Sequence, residues 1–580
     1  MSELNRMFDP LFNPRSIAVI GASNHWNKWG NSTFSSVLNG FTGNVYPINR
    51  KEPEVLGHTA YPTVLDVPDD IDLAIFVIPA RGIPEVMEEC VRKGVKAGII
   101  ISAGFREIGP EGKKLEDEVL RIAQQGGLRF AGPNCMGLWS APSQLRAYMF
   151  PLPSREGPVA FVTQGGNVGG TIVSSAFGRG LGLHKYVSCG PAADIQLEDY
   201  VEYFGDDDGV RVIMAYIEGI NDGKKFLEKL GRVTLKKPVV VYKPGRHDVS
   251  ARAILSHSGS LAGSDEIFDT ALRKAGAIRV HSPEELLDVS IGFLSHPLPK
   301  GRNVAIITGG GSYGVVCAED CAEKGLNVAS LPRSTIENLS TIFPSHWSHG
   351  NPIDPAGDRN FLAYYLAPRI IMELEEFDSL IFMGFGSLAG ISQLFDKDGP
   401  QIFIHRLPKI LASTPGIDRI LDTSVSILSS GDDALFRQFA FPMIPIVSAL
   451  IGSDRKTVGE FLDVVLSGST IRRAFTNLVT SLPHTMEQSR ESGPEVQWIF
   501  ESLDRMVSAL LVQYMITFEK PIISTTFSDL PVPIRGGSYP YTTSSKAANV
   551  LAKLVEYREY LERHSMFKNP FQCCAFLDTP

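Results

Sequence analysis

The chain has 580 residues, too many for one hydrophobic core, and domain-size statistics divide it into about three or four units. Its formal charge of −9 argues against a nucleic-acid-binding face, while leaving room for a local group of cations that holds phosphates. The amino-terminal MSELNRMFDPLFNPRS has no apolar h-region, and no run of about 18 uncharged apolar residues occurs, so neither a signal peptide nor a membrane span is expected.

Over the first 140 residues, short apolar runs alternate with amphipathic helical patterns. SIAVIG, NVYPIN, DLAIFVIP, AGIIISAG and RFAGPN read as strands, and PEVMEECVRKG and GKKLEDEVLRIAQQGG as helices. That rhythm predicts βαβ units on a parallel sheet. It restarts near Gly157 with GPVAFVTQ, HKYVSCG, VRVIMAYIEG and KPVVVYKPG. The proline-rich, basic stretch Leu294 to Arg302 reads as a linker, and RNVAIITGGG opens a third unit that ends with KPIISTTF and the helix SSKAANVLAKLVEYREYLER. Between these, residues 390–515 read as a mainly helical insertion. The predicted division is 1–143, 144–298 and 299–580. The seven cysteines are scattered without a CxxC pair, which predicts free thiols in a reducing cytoplasm, with neither disulfides nor a metal site.

The first strand runs into Gly21-Ala22-Ser23. A small-residue turn before a helix lets backbone N–H groups approach a phosphate. The next small residue, Gly30, comes too late for GxGxxG, which weakens a nicotinamide dinucleotide as ligand. The residues alone also allow a plain tight turn.

The ordered segments AVIGAS, GNVYPINRK, DLAIFVIPA, IIISAGFREIGPEG and RFAGPNCMG resemble the CoA-binding domain of the NDP-forming acyl-CoA synthetase and succinyl-CoA synthetase superfamily. The resemblance implies an α/β fold: a Rossmann-like CoA-binding domain followed by two flavodoxin-like domains. It implies that Gly21, Ala22 and Ser23 contact CoA phosphates and that Asn49 and Lys51 border the nucleotide. Val77, Ile78 and Pro79 would line the adenine or pantetheine path, with Ser102 and Asn134 near the reactive end. The chain has Asn49-Arg50-Lys51 where the family usually has Asn-Pro-Lys.

The segment ILSHSGSLAGSDEIFDTALRKAGAIRV places His257 among small and hydroxyl residues. A neutral imidazole on such a loop can attack phosphorus near pH 7, although a lone histidine there is more often merely solvated. Ser256-His257-Ser258-Gly259-Ser260-Leu261-Ala262-Gly263 is similar to the family's phosphohistidine loop, with Ser258 in place of threonine. The resemblance makes His257 the phosphoryl carrier and Glu218, in MAYIEGI, the carboxylate that orients it. Ser258, Gly259 and the turn Gln164-Gly165-Gly166 would hold the phosphoryl group, the last through backbone N–H groups at a helix start. The usual second serine of that turn is Gly165 here. Lys243 and Arg246 either neutralise phosphate or sit at a wet sheet edge. Asn351 and Asp354 of NPIDPAGD either approach an acyl phosphate or build a structural turn.

No segment resembles the family's ATP-grasp module, so the resemblance implies a partner: ATP or ADP with Mg would sit on an ATP-grasp β subunit, in a hetero- or homo-oligomer. The implied reaction joins a carboxylic acid to coenzyme A through phosphohistidine and acyl phosphate. The rival reading is a CoA-binding regulatory or scaffold protein derived from that family. Neither nucleic acid nor membrane is an expected partner.

Overall fold

The computed structural model describes residues 3–153, 155–250, 252–253, 265–356, 361–383, 511–512, 514–526 and 539–565. His257, Ser258 and Gly259 lie outside the described residues, as does nearly all of the expected insertion at 390–515. The chain forms two compact units, Met1–Leu294 with Glu559–Phe567 and Ser295–Arg558 with Lys568–Pro580.

In the first unit, helix α1 (Glu3–Phe12) precedes a five-stranded sheet. Its strands are β1 (Ser16–Ile20), β2 (Asn44–Ile48), β5 (Leu73–Phe76), β6 (Ala97–Ile100) and β7 (Arg129–Ala131), in the order β2-β1-β5-β6-β7. Every pairing is parallel. Helix α2 (Trp29–Leu38) follows β1. A short hairpin, β3 (Glu54–Val55) and β4 (His58–Thr59), follows β2, and helices α3 (Ile83–Lys93) and α4 (Pro110–Gln125) complete the crossovers. Parallel strands covered on both faces must be apolar at nearly every position, which is why they are plain in the sequence.

The second sheet has the order β14-β13-β12-β10-β11-β8-β9. Its parallel part comprises β10 (Glu156–Thr163), β11 (Leu183–Ser188), β12 (Val212–Tyr216), β13 (Val239–Tyr242) and β14 (Ile278–Val280). The antiparallel hairpin β8 (Gly137–Ser140) and β9 (Leu145–Tyr148) extends it through β11. The expected division at 143/144 falls within the turn of this hairpin. An antiparallel hairpin needs no crossover helix, so the βαβ rhythm gave no sign of it. Helices α5 (Gly166–Gly178), α6 (Leu197–Gly205) and α7 (Gly223–Thr234) cover this sheet.

One apolar core runs through both sheets. Helix α1 inserts Phe8 and Phe12 among Tyr200, Tyr203 and Phe204 of α6, with Phe8 stacked on Tyr203 at 4.4 Å. Each fully buried ring contributes roughly 1.5–3 kcal/mol. Buried Asp194 accepts from Arg129 Nε and from the Phe130 backbone N–H, both at 2.9 Å, which fixes the end of the first sheet to the second.

The second unit holds a parallel sheet of order β16-β15-β17-β18, formed by β15 (Asn303–Ile307), β16 (Asn327–Val328), β17 (Ser379–Met383) and β18 (Ile522–Thr525). Residues 390–515 fall in sequence between two neighbouring strands of it, β17 and β18. The cysteines described, Cys90, Cys135, Cys189, Cys317 and Cys321, are free and buried. Among the described residues no helix is long and apolar enough to cross a membrane.

Candidate functional site: two glycine turns on one cleft

Both sheets of the first unit reverse strand order, the first at β1 and the second at β10. From β1 the chain passes to β2 on one side and later to β5 on the other; from β10 it passes to β11 and later to β12. The carboxyl ends of strands at such a reversal form a crevice, because successive connections leave in opposite directions. At the first reversal stand Gly21 and Val77; at the second stand Gln164 and Glu218. Both open on one cleft of about 850 Å³.

The first turn depends on glycine. Gly21 has φ +91°, and a Cβ there would lie 2.4 Å from the Val77 carbonyl oxygen. A Cβ on Gly30, in the first turn of α2, would lie 1.9 Å from the Gly21 carbonyl oxygen. Gly30 thus seats the helix start against the strand turn, the contact that a closely spaced glycine fingerprint usually makes. Helix α2 has no side-chain cap at its N-cap, Lys28, so its first N–H groups lack that partner. Asn49 Nδ2 donates to the Ala22 carbonyl at 2.8 Å, and its Oδ1 accepts from the Lys51 and Glu52 backbone N–H groups at 2.8 and 3.0 Å. Asn49 therefore braces the turn from behind.

The far side of this end is built by Val77, Ile78, Pro79, Ser102 and Asn134. Ser102 Oγ donates to the Ile78 carbonyl at 2.5 Å, and the Ser102 carbonyl accepts from the Asn134 backbone N–H at 3.0 Å. Asn134 adopts φ +51°, which asparagine tolerates better than most residues.

At the second turn, Thr163 Oγ1 donates to the Gly165 carbonyl at 2.9 Å, and Gly165 is the N-cap of α5 without a side-chain cap. The Gln164 carboxamide is fully engaged: Oε1 accepts from the Glu218 and Gly219 N–H groups at 2.6 and 3.0 Å, and Nε2 donates to the Gly219 carbonyl at 2.9 Å. Buried Glu218 accepts from the Tyr216 hydroxyl at 3.3 Å. A Cβ on Gly165 would lie 2.8 Å from the Tyr216 ring and 3.1 Å from Glu218 Oε1. Burial, with the Glu218 charge beside it, pushes the Tyr216 phenol well above its ordinary value.

The cleft wall thus unites Gly21, Val77, Ile78, Pro79, Ser102, Asn134, Gln164, Gly165, Gly166 and Glu218. Ala22, Ser23, Asn49 and Lys51 are not on it. Lys243 is buried rather than at a wet edge; its Nζ donates to the Pro244 carbonyl at 3.2 Å and lies 5.2 Å from the Phe268 ring centre. Burial lowers its pKa. In the second unit, Asn351 Oδ1 accepts from the Ile306 N–H at 2.9 Å and Nδ2 donates to the Val304 and Ala329 carbonyls at 2.8 Å, so this side chain is structural. Asp354 Oδ1 accepts from the Ala356 N–H at 2.9 Å. Sequence reasoning missed Lys28, Trp29, Met136 and Phe150, which also line the cleft. The available signal was Lys28-Trp29-Gly30, where a helix start follows the glycine turn.

Two domain families match the chain: a CoA binding domain over residues 15–140 and a succinyl-CoA ligase like flavodoxin domain over 156–291. The chain is 40% identical over 375 residues to the α subunit of acetate–CoA ligase (ADP-forming) II of Pyrococcus furiosus, covering 65% of this chain and 82% of that one. It is also 40% identical over 345 residues to the ADP-forming acetate–CoA ligase of Methanocaldococcus jannaschii, covering 60% of this chain and 48% of that one. The dinucleotide-forming acetyl-coenzyme A synthetase 1 of Ca. Korarchaeum cryptofilum, solved with phosphate and ADP, superposes with a TM-score of 0.66 at 26% identity, covering 97% of this chain and 99% of that one. With both domain types in order, and with this identity across most of a separate α subunit, the chain belongs to the family of ADP-forming acid–CoA ligases.

Proposed function

We propose that this chain is the α-type component of an ADP-forming acid–CoA ligase that makes acyl-CoA from a carboxylic acid, coenzyme A and ATP. The observation that carries the reading is the meeting on a single cleft, with Glu218, of the Gly21 turn, against which Gly30 seats the uncapped start of α2, and the uncapped α5 start at Gly165. The first suits the diphosphate of CoA, because backbone N–H groups and the helix dipole attract anions without a side-chain charge. Lys28 adds a cation on the same wall. The second suits a phosphoryl group beside a carboxylate that orients an imidazole.

In this reading the γ-phosphoryl group of ATP passes to a ring nitrogen of His257, releasing ADP. A substrate carboxylate oxygen then attacks phosphorus, giving an acyl phosphate and freeing the histidine. The CoA thiolate attacks the acyl carbon, the C–O bond to phosphate breaks, and inorganic phosphate leaves. Gly165 and Gly166, with Ser258 and Gly259, receive the phosphoryl group, while Gln164 braces the turn; Glu218 holds the tautomer of His257. Catalysis is then largely positioning and charge neutralisation. ATP and its Mg belong to an ATP-grasp partner, in keeping with relatives named as separate α subunits. The free, buried cysteines support a cytoplasmic setting.

The test is phosphorylation with labelled ATP in the presence of an ATP-grasp subunit from the same family. Wild-type chain should gain acid-labile label and His257→Ala none. A wild-type chain that binds CoA but never takes label would instead be a CoA-binding regulatory protein.

A further inference from the structure

Tyr216 touches three parts of the second turn at once. It is the last residue of β12 and is buried, with 6% of its surface exposed. Its carbonyl accepts from the Gln164 N–H at 3.1 Å, which ties β12 to the end of β10. Its ring lies against the α5 start, where a Cβ on Gly165 would come within 2.8 Å of Cε1. Its hydroxyl donates to Glu218 Oε1 at 3.3 Å. The Tyr242 ring of β13 packs beside it, with ring centres 5.5 Å apart, and holds it in place from the other side. Glu218 lines the cleft and Tyr216 does not, which places the phenol one layer behind any reactant.

The inference rests on the function proposed above. A carboxylate that orients an imidazole has to stay ionised and keep one orientation. A hydrogen bond to the charged form favours that form, and a bond to an ionised acceptor is about twice as strong as a neutral one. Burial beside the Glu218 charge keeps the phenol proton in place, so the hydroxyl remains a donor at neutral pH. We propose that Tyr216 is a positioning residue for phosphoryl transfer: its hydroxyl fixes the Glu218 carboxylate and its ring supports the α5 start, so that one side chain sets the carboxylate and the phosphate turn together.

Tyr216→Phe keeps the ring against Gly165 and Tyr242 and removes only the hydroxyl. With labelled ATP and the ATP-grasp subunit, the full-length variant should take up acid-labile label roughly tenfold more slowly than the wild type, with CoA affinity unchanged. The acid limb of its pH profile should move to higher pH. A carboxylate that loses a donor to its charged form takes up a proton more readily, and so does an imidazole held by that carboxylate. Tyr242→Phe, which removes a hydroxyl from the neighbouring strand, should leave both rate and acid limb in place. An unchanged rate in Tyr216→Phe, a slower rate with the acid limb unmoved, or an equal shift in Tyr242→Phe overturns the proposal. If the wild type itself takes no label, the ligase reading falls and this inference with it; if the wild type is labelled and Tyr216→Phe behaves like it, only the present inference falls.

Discussion

Gln164 Oε1 accepts a 2.6 Å hydrogen bond from the backbone N–H of Glu218, and it accepts a second from Gly219. A side chain placed by sequence resemblance beside the phosphate is thus spent on holding the neighbouring turn. Its consequence is positional: the α5 start and the Glu218 carboxylate are set relative to each other by one carboxamide. Gln164→Ala removes three hydrogen bonds and leaves buried backbone groups unpaired, which costs about 1–3 kcal/mol in denaturant unfolding. Phosphorylation of His257 should fall about tenfold or more, because small displacements are expensive in a positioned site. A variant as stable and as readily phosphorylated as the wild type would show that the link is ornamental.

The contact between Gly30 and Gly21 makes a second prediction. Gly30→Ala would put a Cβ 1.9 Å from the Gly21 carbonyl oxygen, and Gly21→Ala would combine a 2.4 Å clash with φ +91°. The backbone strain of the latter alone is about 1–2 kcal/mol. In both variants α2 must withdraw from the turn. CoA affinity, measured by titration, should drop far more than that of Gly57→Ala, whose added Cβ meets no atom although its φ of +81° is equally strained.

Lys28 tests where the charge of CoA lies. It lines the cleft, whereas Lys51, named from the sequence, does not. Charge-assisted contacts to phosphate contribute about 1.5–3 kcal/mol, so Lys28→Ala should raise the dissociation constant of CoA roughly tenfold or more. Dephospho-CoA, which retains the diphosphate, should suffer the same factor. Pantetheine, which lacks it, should bind the variant and the wild type alike. A loss confined to CoA would move Lys28 to the 3′-phosphate.

Most parallel strands of the three larger sheets were legible, because apolar runs closed by Gly, Pro or Asn have few other interpretations, although β14 and β17 were not singled out. The hairpin at β8 and β9 was not, since GLWS and LRAY are short and lack a following helix. Helix α1 hid in a segment read only for a leader, although Phe8, Leu11 and Phe12 are spaced to share a face. At the site, residues with a backbone role were readable, because Gly21 and Gly165 stand where no side chain fits. Less readable were polar side chains whose partners come from elsewhere: Asn49 reaches Ala22, and Asn351 reaches Ile306, Val304 and Ala329. Spacing cannot tell such a brace from a ligand contact. Trp29 and Phe150 escaped because they meet only when α2 and the β9 end come together.

The last prediction concerns pH and the support of the second sheet. Asp207 pairs with Lys185, lies 3.3 Å from His184 Nε2 and accepts from the Gly209 N–H at 3.0 Å. Burial alone would raise its pKa, but hydrogen bonds and charge from His184 and Lys185 outweigh this and hold it far below the usual range. A carboxyl with a depressed folded pKa adds stability that is complete above its unfolded pKa of about 3.9, where neither state holds the proton; below it the unfolded chain takes up the proton first. That contribution is lost as pH falls from about 4 towards the folded value. Asp207→Asn should therefore cost about 2–4 kcal/mol at pH 7, since it leaves Lys185 buried and unpaired. The gap from wild type should shrink steadily below pH 4. Urea unfolding of both proteins between pH 7 and pH 3 measures it, and a gap that does not change with pH would remove the ion pair as its cause.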